Sequence, residues 1–189
     1  MSGTSTPSQT VGPFFAIGFD WLERIDLAEG APADSRITIR GRVMDGDGKP
    51  VPDAVLEIWQ ADAKGRYAHP EDSADRMATA KFFGFGRVPV NDQGEFRFTT
   101  IKPGCVIGPD GAKQAPHLAI SIFMRGLLRR LVTRIYFPGE PLHESDAVLR
   151  AIPAERRGTL MARVEGTDKQ SLVWDVHLQG ETETVFFDC

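Results

Sequence analysis

Two tyrosines, four histidines and a group of arginines are the side chains whose chemistry stands out in this sequence. Tyr67 closes the stretch Trp59-Gln60-Ala61-Asp62-Ala63-Lys64-Gly65-Arg66-Tyr67, and His117 lies in Gln114-Ala115-Pro116-His117-Leu118-Ala119. Phenolate oxygens are hard anionic donors that favour ferric over ferrous iron, and imidazoles can complete such a site. Two histidines at i and i+2 on a strand share one face and can grip one metal. Here the i+2 neighbour of His117 is Ala119, which cannot ligate. No two of His69, His117, His143 and His177 stand at i, i+2 or i, i+4. The other tyrosine, Tyr136, falls in a plain alternating strand and reads as structural. Taken singly, Tyr67 reads as a packed ring with a hydrogen-bonded hydroxyl, and His117 as a satisfied sheet histidine. Arg125, Arg129, Arg130 and Arg134 raise the local positive potential and could draw in an anionic substrate. The alternative is a charged, solvated strand face, with Arg125 in a surface pair worth well under about 1 kcal/mol.

The elements that must position these groups are strands. Arg36 to Val43 alternates apolar and basic residues with period two, and Asp45-Gly46-Asp47-Gly48-Lys49-Pro50 is a turn cluster. Further strands are expected over 54–60, 94–99, 130–137 and 172–179. One helix is expected, from Ser145 to about Ile152, with Ser145 or Asp146 as N-cap and Pro153 as the stop. The pattern predicts an all-β protein, an antiparallel β-sandwich with one short helix near 145–152. Residues 1–35 form an N-terminal arm, in which the prolines and glycines of 6–15 exclude regular helix or central strand. Phe14, Phe15, Phe19 and Trp21 are too apolar for a free tail, so the arm packs on its own body or on a neighbouring chain. Residues 36–189 form the single sandwich domain.

The 189 residues suffice for one domain with arms, burying roughly 70% of the unfolded surface without help from disulfides. The composition, 41% apolar and 25% charged, is that of an ordinary globular protein. A net charge of −4 argues against nucleic acid or an anionic membrane as main partner. Cys105 and Cys189 belong to no CxxC pair and read as reduced thiols. The N-terminus has neither the basic region nor the apolar core of a signal peptide, and the longest apolar run, around Leu118 to Met124, is too short to span a bilayer. A cytoplasmic location is expected.

With their surroundings, these stretches resemble the intradiol ring-cleaving dioxygenases. The matching motifs are T-P-S-Q-T-V-G-P-F-F at 6–15, W-Q-A-D-A-K-G-R-Y at 59–67 and I-K-P-G at 101–104. A-P-H-L-A-I-S-I-F-M-R-G at 115–126, T-R-I-Y-F at 133–137 and Q-G-E-T-E-T-V-F-F-D at 179–188 complete them. The first and last resemble the alpha-type chains of hetero-oligomeric members; the others are shared with the iron-binding beta-type chains. The family's ferric site uses two tyrosines and two histidines. Tyr67 and His117 stand at matching positions, but Val106 and Ala119 replace the other tyrosine and histidine, and Gln114 replaces a beta-type arginine.

The resemblance implies an alpha-type chain that binds no metal, has no catalytic residue of its own and retains Tyr67, Val106, His117 and Ala119 as relic ligand positions. It implies a beta-chain partner holding ferric iron near the shared interface. It further implies protocatechuate and dioxygen as substrates, with cleavage between the two hydroxyl-bearing carbons to 3-carboxy-cis,cis-muconate. Carried over by motif, Thr10, Gly12 and Pro13 line the substrate pocket, and Arg125 reaches toward the substrate carboxylate or ring face. A fixed guanidinium suits a carboxylate, and a glycine lets the backbone approach a planar ring. Two other functions compete: a self-sufficient intradiol dioxygenase holding iron through Tyr67, His117 and further ligands, and a β-sandwich binding module. The module rests on the strand-turn-strand phrase at 41–59, common in sandwiches, and leaves the motifs at 6–15 and 179–188 unexplained.

Overall fold

The computed structural model describes residues 7–72 and 82–188. Its strands are β1 (Arg36–Met44), β2 (Val55–Trp59), β3 (Phe85–Pro89), β4 (Glu95–Ile101), β5 (Val106–Ile107), β6 (Lys113–Gln114), β7 (His117–Phe123), β8 (Leu131–Tyr136), β9 (Arg163–Glu165), β10 (Asp168–Val173) and β11 (Val176–His177). Strand β1 is central to the first sheet. It pairs antiparallel with β4 on one side and parallel with β10 and then β11 on the other, and β9 joins β10. The second sheet is antiparallel throughout, in the order β3-β2-β7-β8. Strands β5 and β6 form a small ribbon in which Val106 opposes Gln114.

The alternation in the sequence becomes the core between these sheets. Ile39 and Val43 on β1, Phe96 and Phe98 on β4, and Leu56, Ile58, Leu118, Ile120 and Ile122 on β2 and β7 pack into one cluster. Each fully buried aliphatic side chain contributes about 1.5–3 kcal/mol, so the cluster dominates the stabilisation.

The opposite face of the second sheet carries the residues of interest. Cross-strand register sets Phe85, Trp59, Ala119 and Arg134 in one row and Arg87, Glu57, Ser121 and Val132 in the next. His117 lies opposite Tyr136 on the same face.

The all-β sandwich expected from the sequence is present, with three differences. The strand expected over 172–179 is broken between β10 and β11, because the Asp175 carboxylate, not a main-chain carbonyl, accepts the Arg42 N–H (3.1 Å). The helix expected over 145–152 is the shorter α2 (Ala147–Arg150), capped by Asp146, whose Oδ1 accepts the N–H groups of Val148 and Leu149. Its other oxygen accepts the Ala115 N–H at 2.8 Å, so this capping residue is fully buried.

Helical turns also occur where none was expected. A single turn, α1 (Phe14–Ile17), follows Pro13, whose φ of −69° already suits helix entry. Short 3-10 turns lie at 20–22, 33–35, 141–144 and 154–160. No helix among the described residues is long and apolar enough to cross a membrane. Cys105 is a half-buried free thiol, and Cys189 lies outside the described residues.

Described residues before β1 contact the body. The Leu27 N–H donates to Thr99 O, and the Arg24 and Arg87 main chains exchange hydrogen bonds. The buried Arg87 pairs with Glu57 (2.8 Å), donates to the Phe15 carbonyl and stacks under the Phe15 ring at 4.1 Å. Phe15 also meets Phe123 (4.6 Å between centroids). Phe14, Ile17 and Trp21 remain 75%, 68% and 73% exposed.

Candidate functional site

Of the four positions matched by motif, His117 and Ala119 share the outer face at the N-terminal end of β7, Tyr67 and Ala119 line one cavity, and Val106 lies opposite Gln114 in the β5–β6 ribbon. The loop bearing Tyr67 is fixed by Asp62, whose carboxylate accepts the N–H groups of Lys64 and Arg66 and the Arg66 side chain. Gly65, at φ +75°, lets this loop close on the next: an added Cβ would stand 2.0 Å from the Cys105 carbonyl oxygen. The Gly104 N–H donates to Asp62 O, bringing the loop that leads into Val106 against the Tyr67 loop. Tyr67 stacks on Trp59 at 5.8 Å, and a cavity of about 670 Å³ opens there, lined by Trp59, Tyr67, His69, Phe85 and Ala119 among others. Burial pushes the Tyr67 phenol above its ordinary value, opposed by the nearby Arg134 charge.

His117 is buried beside this cavity. Its Nδ1 lies 2.8 Å from the Ala115 carbonyl oxygen, which can only accept, so Nδ1 carries the proton. Burial, then the Arg134 charge, pushes His117 down to about 4. Tyr136 is fully buried between His117 and His143, with centroid distances of 5.6 and 5.9 Å. Burial pushes its phenol up to about 12. The donor set does not fit ferric iron. Tyr67 and His117 carry a donor, whereas Val106 and Ala119 offer only hydrocarbon. Among the described residues no three His, Cys, Asp or Glu side chains converge to hold a metal ion.

Arg134 departs from the arginine cluster expected from the sequence. Arg125, Arg129 and Arg130 are exposed, whereas Arg134 is half-buried, opposite Ala119 in the β7–β8 ladder. Its Nη1 donates to Gln114 Oε1 (3.0 Å) and Tyr136 Oη (3.2 Å), and its guanidinium lies 5.9 Å from the Phe187 ring centre. The alternating pattern of 130–137 places it on the outer face, but only the fold shows that this end of the face is covered.

The other candidate residues meet at the opposite end of β7. Thr10 Oγ1 accepts the Gly126 N–H (2.8 Å) and, more weakly, the Gly12 N–H (3.4 Å). Gly12 takes φ +65°, and no heavy atom lies within 4 Å of where its Cβ would be. That turn delivers Pro13 and then α1, so Thr10, Gly12, Pro13 and Arg125 form one corner. Asp53, just before β2, was not singled out in the sequence. Its Oδ2 accepts the Arg125 N–H (3.1 Å) and lies 3.5 Å from Arg125 Nε. The Asp53 side chain is 14% exposed and that of Arg125 63%. The Pro-Asp pair ahead of a strand was the available signal for Asp53; its partner is 72 residues away.

These two groups cannot serve one small-molecule site in this chain. Ala119 and Arg125 are six residues apart along an extended segment, about 20 Å at 3.3 Å per residue. The corner offers a fixed guanidinium, a hydroxyl and open backbone, but among the described residues nothing there can activate dioxygen.

Comparison with known proteins places the chain among relatives. Residues 14–180 match the family model described as Dioxygenase. The protocatechuate 3,4-dioxygenase alpha chain of Burkholderia cepacia is 41% identical, over 97% of this chain and 96% of its own length. That of Pseudomonas putida is 40% identical with the same coverage. The protocatechuate 3,4-dioxygenase beta chain of Burkholderia cepacia is 41% identical over 75% of this chain, which spans 61% of that protein. Among solved structures, the intradiol ring-cleavage dioxygenase from Tetranychus urticae superposes with a TM-score of 0.64 at 18% identity, covering 93% of this chain and 94% of that one. The similarity in structure supports the fold alone.

Proposed function

The chain belongs to the dioxygenase family that includes the protocatechuate 3,4-dioxygenase alpha chains, and from this we propose that it is the alpha subunit of a hetero-oligomeric protocatechuate 3,4-dioxygenase. The complex cleaves protocatechuate with dioxygen between the two hydroxyl-bearing carbons, giving 3-carboxy-cis,cis-muconate. Members of the family depend on ferric iron, and we assign that iron to the partner beta chain, where it supplies Lewis acidity and a template. This chain supplies walls and orientation. Holding a substrate in a productive pose can lower a barrier by several kcal/mol without any bond-making by the residues that hold it.

In this assignment Arg125 takes the protocatechuate carboxylate, Thr10 fixes the arm to the Arg125 turn, and Gly12 and Pro13 present backbone to the ring. Tyr67, Val106, His117 and Ala119 are relics. Residues 1–35 act as an arm and 36–189 as the sandwich domain, the exposed Phe14, Ile17 and Trp21 being suited to burial against the partner. The location is cytoplasmic, with neither nucleic acid nor membrane as partner.

The observation that carries this reading is that Thr10 and Asp53 hold the Arg125 turn past the far end of β7 from His117 and Ala119, roughly 20 Å along the strand at about 3.3 Å per residue. A substrate held at that corner must meet its metal on another chain. The test is iron content and visible absorption of the chain alone and co-expressed with a beta chain. The reading predicts a colourless, iron-free lone chain and a coloured ferric-tyrosinate complex. Stoichiometric, coloured iron in the lone chain would establish the self-sufficient dioxygenase instead.

A further inference from the structure

We propose that the Arg134 guanidinium has taken the place of the metal as the cation of the relic pocket, and that it excludes iron independently of the two lost ligands. The inference rests on reading residues 67, 106, 117 and 119 as a relic iron site. Arg134 adjoins that site through the β7–β8 ladder and two hydrogen bonds. It lies directly opposite Ala119 in the β7–β8 ladder, where directly opposed side chains start about 5 Å apart on one face. The methyl group of Ala119 leaves room that an imidazole would fill. Its Nη1 bonds to Gln114 Oε1, and Gln114 is the residue opposite Val106 in the β5–β6 ribbon. Arg134 thus faces one position where a donor is missing and bonds to the residue that faces the other.

The surviving donor His117 lies opposite Tyr136 in the same ladder, and Tyr136 Oη accepts a hydrogen bond from Arg134 Nη1 at 3.2 Å. The partners of Arg134 are neutral oxygens, those of Gln114 and Tyr136. Among the described residues no carboxylate stands within ion-pair distance of it; the ion pair of the adjoining Tyr67 loop joins Arg66 and Asp62. A half-buried positive charge, offset only at longer range by the Asp146 and Asp72 carboxylates that act on the same tyrosines and histidine, repels a trivalent cation, because the low local dielectric screens it poorly. The acceptor oxygens of Gln114 and Tyr136 fix the guanidinium in the pocket, so it cannot swing away at little cost.

Restoring the lost donors alone therefore should not restore the metal. The experiment compares the full-length wild-type chain with Val106→Tyr/Ala119→His and with Val106→Tyr/Ala119→His/Arg134→Gln, each purified alone and loaded with ferric iron. Bound iron is measured together with the visible tyrosinate band. The double variant should hold little iron, and the triple variant about tenfold more, the charge being the difference. A further triple variant with Arg134→Lys should stay as iron-poor as the double. Because two core-side changes can unfold the chain, Ala119→His with and without Arg134→Gln gives a milder pair, read by the rise in Tm on adding ferric iron. A rise confined to the Arg134→Gln member supports the inference. Equal iron in the double and triple variants, or equal Tm shifts in the milder pair, overturns it. Iron in the wild-type chain would instead overturn the alpha-subunit reading, so the two failures are distinct.

Discussion

The Thr10 hydroxyl accepts the Gly126 N–H at 2.8 Å, joining the N-terminal arm to the turn that bears Arg125 across 116 residues of sequence. This single bond places the arm's Gly12-Pro13 segment beside the guanidinium. The contact predicts that Thr10→Val, which keeps the shape and loses the acceptor, weakens the corner by about 1 kcal/mol. In the complex, KM for protocatechuate should rise several-fold while Tm moves little. Steady-state kinetics with a parallel melting curve checks this, and an unchanged KM would remove Thr10 from the pocket.

Asp53 holds Arg125 at two points. One Asp53 oxygen serves both the main chain and Nε of Arg125, while Oδ1 is buried with no hydrogen-bond partner among the described residues. Asp53→Ala should raise KM for protocatechuate about tenfold with a smaller change in kcat. Asp53→Asn, which keeps the acceptor for the Arg125 N–H, should recover most of the loss. Equal KM values for Asp53→Ala and wild type would show that Arg125 needs no such support.

Arg87 is the anchor of the arm. It is 4% exposed, paired with Glu57 and in contact with the Phe15 carbonyl and ring. Arg87→Met leaves Glu57 without its partner and should destabilise the chain by about 2–3 kcal/mol. Hydrogen exchange should accelerate over 14–18 before the sheets are affected, since α1 has no other buried polar anchor among the described residues. Unchanged exchange there would mean that Phe15 stacking on Phe123 suffices.

His117 makes stability depend on acidity. Its folded value is depressed to about 4 by burial first and the Arg134 charge second, against an ordinary unfolded value near 6.5. Between these values the unfolded chain binds the extra proton and the folded chain does not, so stability falls as pH drops from about 6.5 toward 4. The full effect is about 3 kcal/mol. Denaturant unfolding of wild type and His117→Gln at pH 7 and pH 5 measures it. The wild type should lose more stability on acidification, and parallel losses would contradict the assignment.

The sandwich was legible because alternation records which face of a strand is buried. The period-two pattern over 36–43 became β1 with Ile39 and Val43 in the core. The break between β10 and β11 was not legible, since it depends on Asp175 accepting the N–H of Arg42, 133 residues away. The shorter helix at 147–150 follows from Asp146, not Ser145, capping it while also binding Ala115. Composition gave no sign of α1, because Pro13 serves as well to start a turn as to prevent one.

The candidate site was legible only in part, for the same reason. Tyr67, His117, Val106 and Ala119 could be matched by motif, and so could Thr10, Gly12, Pro13 and Arg125. That these form two groups at opposite ends of β7 is a matter of register and could not be read from spacing. Arg134 looked like one more surface arginine beside Arg125, because alternation assigns a face but not what covers it. Asp53 looked like a strand-boundary residue until the fold set it against Arg125.

The central claim is that Arg125 reads the carboxylate of a substrate whose chemistry happens on a neighbouring chain. The most direct test compares kcat/KM for protocatechuate and for catechol, the same ring without the carboxylate, in the reconstituted complex bearing wild-type or Arg125→Ala alpha chain. Loss of a charge-assisted bond worth about 1.5–3 kcal/mol predicts a 10- to 100-fold fall for protocatechuate and little change for catechol. Equal losses for the two substrates, or none for either, would contradict the account.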